Sequence, residues 1–137
     1  RDECYAYLFH VANAYGGMRA NTLFLHGDPD DHLKWAWLNL VLRVISAGQF
    51  EAPFLHLSSP RLVHVSNPCA DFVYEAAFGR KRGPRPLSTY CCAQFVVRKE
   101  RVESLPHSHY VRALNVVDGT LEDSCERIGP SYEKYPG

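Results

Sequence analysis

Thr22-Leu23-Phe24-Leu25-His26-Gly27-Asp28-Pro29-Asp30-Asp31-His32 is the stretch on which the reading of this chain turns. Its short apolar run predicts a buried, central strand from Thr22 to His26, and Gly27 and Pro29 end that strand in a tight loop. The loop carries three carboxylates and is bracketed by two imidazoles. In an α/β domain ligands bind beyond the carboxyl ends of the strands, so the same residues mark a candidate site. The spacing Asp28-Pro29-Asp30 lets two carboxylates converge on one hard divalent cation, Mg²⁺ or Mn²⁺, which prefers oxygen donors and can bridge substrate phosphates. A plainer reading stands beside it, in which Asp30 or Asp31 caps the following helix and the other acids are solvated.

On the N-terminal side, Asp2 and Glu3 precede Cys4, Leu8, Val11 and Tyr15, whose spacing puts one apolar stripe along a helix that Gly16-Gly17 stop. On the C-terminal side, His32 to Ala47 is apolar on more than one face. That pattern predicts a helix buried on several sides, with Trp37, Leu40, Val41 and Val44 inside and Gly48 as its terminator. Phe54-Leu55-His56-Leu57 and Leu62-Val63-His64-Val65 alternate with period two and read as two short strands or a hairpin. His56 and His64 could then face the same way, but no third ligand stands at a diagnostic spacing, so they read as exposed strand histidines.

Asn67-Pro68 opens a further helix through Phe72, Val73, Ala76 and Ala77, ended by Gly79. The basic run Arg80-Lys81-Arg82-Gly83-Pro84-Arg85-Pro86 reads as a solvated connection rather than a phosphate clamp. Ser88 to Val97 is the second core strand, neighbouring the first. Gln94, at its centre, must find hydrogen-bond partners if buried, and would either fix packing or present its amide to a ligand. Lys99 to Leu105 is a short helical turn, and Tyr110, Ala113, Leu114 and Val117 mark a last helix.

The chain of 137 residues suits one domain with a single core. Lys plus Arg equals Asp plus Glu, 15 each, so no global basic field argues for nucleic acid. Five Cys without a C-x-x-C give neither a disulfide scaffold nor a zinc finger, and alternation would send adjacent Cys91 and Cys92 to opposite faces of a strand. The longest apolar stretch, Trp35 to Ala47, is broken by Asn39, Arg43 and Ser46 and is no membrane span. An opening Arg1-Asp2-Glu3 without Met, and a polar ending from Ser131 to Gly137, give the expectation that residues 1–137 are a single truncated domain of a longer protein.

Three segments together carry a resemblance. Glu3-Cys4 with Tyr7-Leu8, then Leu23 to Pro29 with Asp31-His32, then Cys91-Cys92-Ala93-Gln94-Phe95-Val96-Val97 with Arg98, Glu100 and Arg101, are similar to a eukaryotic family catalogued as domain of unknown function 3431. The Cys-Cys-Ala-Gln-Phe segment is its most specific mark. That family itself resembles glycosyltransferases of the GT-A type. The resemblance implies an α/β, three-layer helix-sheet-helix domain with a mostly parallel sheet, GT-A-like but partial, since the family's first strand is missing here. It also implies a divalent metal, Mn or Mg, held by Asp28 and Asp30 on the diphosphate of a sugar nucleotide. Glu3 and Gln94 would then help bind the nucleotide, and Glu100 would be the general base for a glycan acceptor. Asp2 stands where family members usually carry Arg, and the aromatic C-terminal tail of the family is absent.

The leading expectation is therefore a metal-dependent, glycosyltransferase-like domain. A non-catalytic binding or structural module on the same fold is the first alternative. A metal-dependent hydrolase using His26, Asp28 and His32 is the second, although it lacks a motif such as H-E-x-x-H. The residues fix no compartment, and the secretory pathway is compatible with them.

Overall fold

The computed structural model describes residues 3–58, 62–65, 68–84, 87–90 and 93–118. Helix α1 (Glu3–Ala14) leads through Gly16, at φ +82°, to strand β1 (Asn21–Phe24). A 3-10 turn (Pro29–Asp31) and helix α2 (Trp35–Ser46) follow, then β2 (Phe54–His56), β3 (Leu62–Val65) and α3 (Pro68–Phe78). Strands β4 (Leu87–Tyr90) and β5 (Phe95–Arg98) precede α4 (Lys99–Glu103) and α5 (His107–Val117).

The sheet is antiparallel. Its order is β1-β5-β2, with Phe24 opposite Phe95 and Thr22 opposite Val97 on one side, and Phe54 opposite Val97 on the other. This overturns the expected mostly parallel, GT-A-like sheet. Strands β1 and β2, joined through α2, do run in the same direction, as the αβ pattern of the sequence suggests. The late strand β5 then inserts between them in the opposite sense and pairs with both. Thr22 to Phe24 consequently lies on an edge strand and not at the centre. The expected strand from Ser88 to Val97 is two strands in two sheets, since β4 pairs with β3 in a separate antiparallel ribbon. Phe54–Leu57 and Leu62–Val65 likewise form no hairpin with each other, so His56 and His64 stand in different sheets. Cys91, Cys92 and the cap residue Asn67 lie outside the described residues.

Because directly opposed residues share a face, Phe24, Phe54, Phe95 and Val97 line one side of the sheet and Leu23, Leu55 and Val96 the other. Each side has its own core. Val11 and Met18 pack with Phe24, Val97 and Val102, and Tyr7, Tyr15 and Tyr110 close around them. On the opposite side Leu33, Leu38 and Val41 pack with Leu57 and Val96. The stripe on α1 is therefore shifted: Tyr7, Val11 and Ala14 face the sheet, while Cys4 is exposed.

Helix α2 departs furthest from its sequence pattern. Leu38 and Val41 are buried, but Trp37 is 39% and Leu40 52% exposed, and Trp35 and Leu42 are exposed as well. The sheet offers α2 one face only, so an apolar residue elsewhere on the helix has nothing described to pack against. Its end follows the expected geometry. Gly48, at φ +69°, donates to the Ile45 carbonyl, and Gln49 donates to that of Val44, the paired bonds of a Schellman terminus. At the end of α3, Arg112 of α5 donates from Nε and Nη2 to the carbonyls of Ala76 and Ala77, at 3.0 Å each. These are carbonyls that a helix leaves unpaired. Among the described residues, no helix is long and apolar enough to cross a membrane.

Candidate functional site

The acidic loop leaves β1 at the end of the sheet where β5 begins and β2 finishes. Leu57 extends the β2 ladder there by donating to the Gln94 carbonyl at 2.8 Å, and buried Ser58 follows it. Gln94 is 0% exposed. Its Nε2 reaches the carbonyl oxygen of Pro29 at 3.4 Å, a long contact that ties the middle of the loop to the start of the central strand. Its Oε1 is buried without a hydrogen-bond partner. A buried acceptor left this way costs about 1–3 kcal/mol, so its retention in a central position requires a reason.

Asp28 and Asp30 flank the anchored Pro29, and both are exposed. Asp28 precedes the 3-10 turn and makes no side-chain capping bond. The cap of α2 is Lys34, also without a side-chain bond, so neither Asp30 nor Asp31 caps that helix. The capping half of the plainer reading therefore does not hold, since the turn Pro29–Asp31 places three residues between the acids and the first turn of α2. Its other half, solvated acids, agrees with the exposure of Asp28 and Asp30. Asp28 and Asp30 have no hydrogen bond or ion pair with the described residues.

The imidazoles of His26 and His32 approach edge to face, with ring centroids 6.1 Å apart. Among the described residues, no group of three or more His, Cys, Asp or Glu could hold a metal ion. The donor set fits a cation shared with a ligand better than one caged by protein. Mg²⁺ and similar ions are commonly held by one or two carboxylates, with phosphate oxygens and water completing the shell. Asp28 and Asp30 are the exposed carboxylates of this loop that would supply such a pair.

The remaining residues singled out by sequence are dispersed. Glu3 opens α1, and its side chain lies outside those described. Glu100 follows β5 at the far end of the sheet from Gln94, beyond a run of roughly 13 Å at about 3.3 Å per residue. It is exposed and pairs with Arg98 at 3.2 Å. The structure thus brings Asp28, Asp30, His26, His32 and Gln94 to one end of the sheet and leaves Glu100 at the other. In the basic connection, Arg82 pairs with Asp71 of α3 rather than standing free. What sequence reasoning missed is the Pro29 carbonyl as the partner of Gln94, a contact between residues 65 positions apart. The unexplained amide within a β-branched and aromatic run was the one local signal of it.

Against this geometry, the family described as Protein of unknown function (DUF3431) matches residues 56–129. The chain belongs to this family. The matched stretch includes β5 and Gln94 and begins after the acidic loop, so Glu3 to Leu8 and Leu23 to His32 lie outside it. No curated protein and no solved structure matches the chain.

Proposed function

We propose that this chain is a metal-dependent, glycosyltransferase-like domain whose acidic loop binds the diphosphate of a sugar nucleotide through a divalent cation. The observation that carries the reading is the pair Asp28 and Asp30: both exposed, both without a partner among the described residues, and set on either side of a proline held by a fully buried amide. A loop built only for solubility needs no such anchor. When bound, a divalent cation would neutralise the charge that develops on a leaving diphosphate. Asp28 and Asp30 would hold it, and Gln94 would fix the loop between them. Gln94 is fully buried, so in this reading it acts on the ligand only through the loop it holds, and not by presenting its amide.

The test is a calorimetric titration of the protein with uridine diphosphate in Mn²⁺, repeated on Asp28→Asn and Asp30→Asn. Each replacement keeps shape and removes one charge facing the cation. The expected result is at least a tenfold loss of affinity in both variants, with thermal unfolding unchanged. Equal titrations in wild type and both variants would sink the proposal.

A second reading, the non-catalytic binding module, is favoured by the position of Glu100. A base paired with Arg98 at the opposite end of the sheet cannot deprotonate an acceptor held at the acidic loop. Binding without release of uridine diphosphate from uridine-diphosphate sugars would select this reading. The hydrolase reading draws no support from the His26–His32 pair, which gathers no third ligand among the described residues.

A further inference from the structure

On the opposite side of the sheet from α2, the first core is incomplete. A cleft of about 240 Å³ lies between α1, the phenylalanine-rich face of the sheet, and α4 with the start of α5. Its walls are almost wholly apolar. Phe24, Phe95, Tyr7 and Val102 form the inner part, while Phe54, 47% exposed, and exposed Arg101 stand at the rim. Aromatic rings pack along it in tilted pairs: Tyr7 to Phe24 at 4.8 Å, Phe24 to Phe95 at 5.0 Å, and Phe95 to Phe54 at 5.1 Å between centroids. Protein interiors rarely leave such a gap, because lining atoms then forfeit their dispersion partners.

Two of the tyrosine hydroxyls around the cleft are engaged by backbone carbonyls. Tyr110 donates its hydroxyl to the Val102 carbonyl at 2.8 Å, and Tyr15 donates to that of Leu105 at 2.9 Å. Arg101 makes no side-chain hydrogen bond or ion pair with the described residues. Its charge is nevertheless felt inside, since it works against the burial that raises the Tyr110 pKa. The cleft thus joins a hydrocarbon-sized apolar interior to one uncompensated guanidinium at its mouth. Ligand sites have this composition, mostly apolar lining with a few polar groups that fix orientation.

We propose that this cleft binds a small apolar monocarboxylate, with its hydrocarbon part among Tyr7, Phe24, Phe95 and Val102 and its carboxylate on Arg101. Size limits the ligand. An engineered cavity of about 150 Å³ takes up benzene, so this one suits a chain of about ten heavy atoms. The guanidinium selects the charge, because its fork matches a carboxylate bidentately. The site is independent of the acidic loop and needs no metal.

Octanoate and 1-octanol provide the test, since they share length and differ in charge. Both are titrated into the protein by calorimetry in the presence of a metal chelator, which silences any cation at the acidic loop. Wild type is expected to bind octanoate at least tenfold more tightly than 1-octanol. Arg101→Gln should abolish that preference while leaving 1-octanol binding unchanged, and Arg101→Lys should restore part of it. Phe54→Ala should weaken both ligands several-fold. The three substitutions fall at two exposed positions, and thermal unfolding of each variant verifies its fold. No binding of octanoate to wild type, equal affinity for the two ligands, or a preference that survives in Arg101→Gln would each overturn the proposal.

Discussion

Gln94 concentrates most of what is unusual at the residue scale. A fully buried amide with one long contact and one orphaned oxygen contributes little net stability, because the desolvation of Oε1 offsets whatever the Pro29 contact supplies. Gln94→Met keeps the volume and removes the orphan. Its unfolding free energy should stay within about 1 kcal/mol of wild type, while the affinity for Mn²⁺ with uridine diphosphate should fall as Pro29 loses its anchor. Denaturant unfolding checks the first part; a loss above about 3 kcal/mol would mean that the amide holds the core together. Tyr110 makes a different argument. Its pKa is raised above the ordinary 10.0, by burial first and by neighbouring Tyr15 second, with Arg101 opposing. The folded state therefore holds the phenol proton to higher pH than the unfolded state does. Stability from this group is complete below pH 10 and is lost as pH rises from there through the folded pKa. Tyr110→Phe, which gives up a hydrogen bond of about 0.5–1.5 kcal/mol at neutral pH, should flatten the fall of the melting temperature above pH 10. An unchanged alkaline limb would place that fall elsewhere.

Helix α2 shows how an element can be legible and its burial not. Its existence, its approximate span and its glycine terminator all follow from residues 32 to 48. Which apolar residues lie inside does not, because the helix has apolar side chains nearly all round and only the sheet selects among them. Leu38 and Val41 face that sheet; Trp37 and Leu40 do not. Leu38→Ala should cost about 2–5 kcal/mol and Leu40→Ala less than about 1 kcal/mol, measured by urea unfolding. The reverse order would mean that another surface covers Leu40. The strands teach a similar lesson. A run from Ser88 to Val97 looks like one strand by propensity, yet pairing divides it between two sheets, since partners are chosen by tertiary position and not by side-chain type.

For the whole molecule, the insertion of β5 between β1 and β2 is the decisive event. It gives β5 ladder bonds on both sides and leaves β1 and β2 as edges. Amide exchange should follow that order, with Val96 and Val97 slowest and the outer amides of β1 and β2 faster by a factor of ten or more. Exchange as fast in β5 as in β1 would contradict the three-stranded order. The same insertion brings Gln94 to the acidic loop and carries Glu100 away from it, so it decides which of the sequence-marked residues can act together. Local chemistry determined the helices, their glycine ends, the presence of a first strand, which ends at Phe24 before the expected His26, and the concentration of carboxylates beyond it. Those features depend on contacts within a few residues, which periodicity and turn preference report. Tertiary structure alone decided the direction of the sheet, the exposure of Trp37 and Leu40, the Gln94–Pro29 contact and the cleft beside Arg101. Each of these joins segments far apart in the chain, and the alternation of side chains along a strand is the same whichever way its neighbour runs.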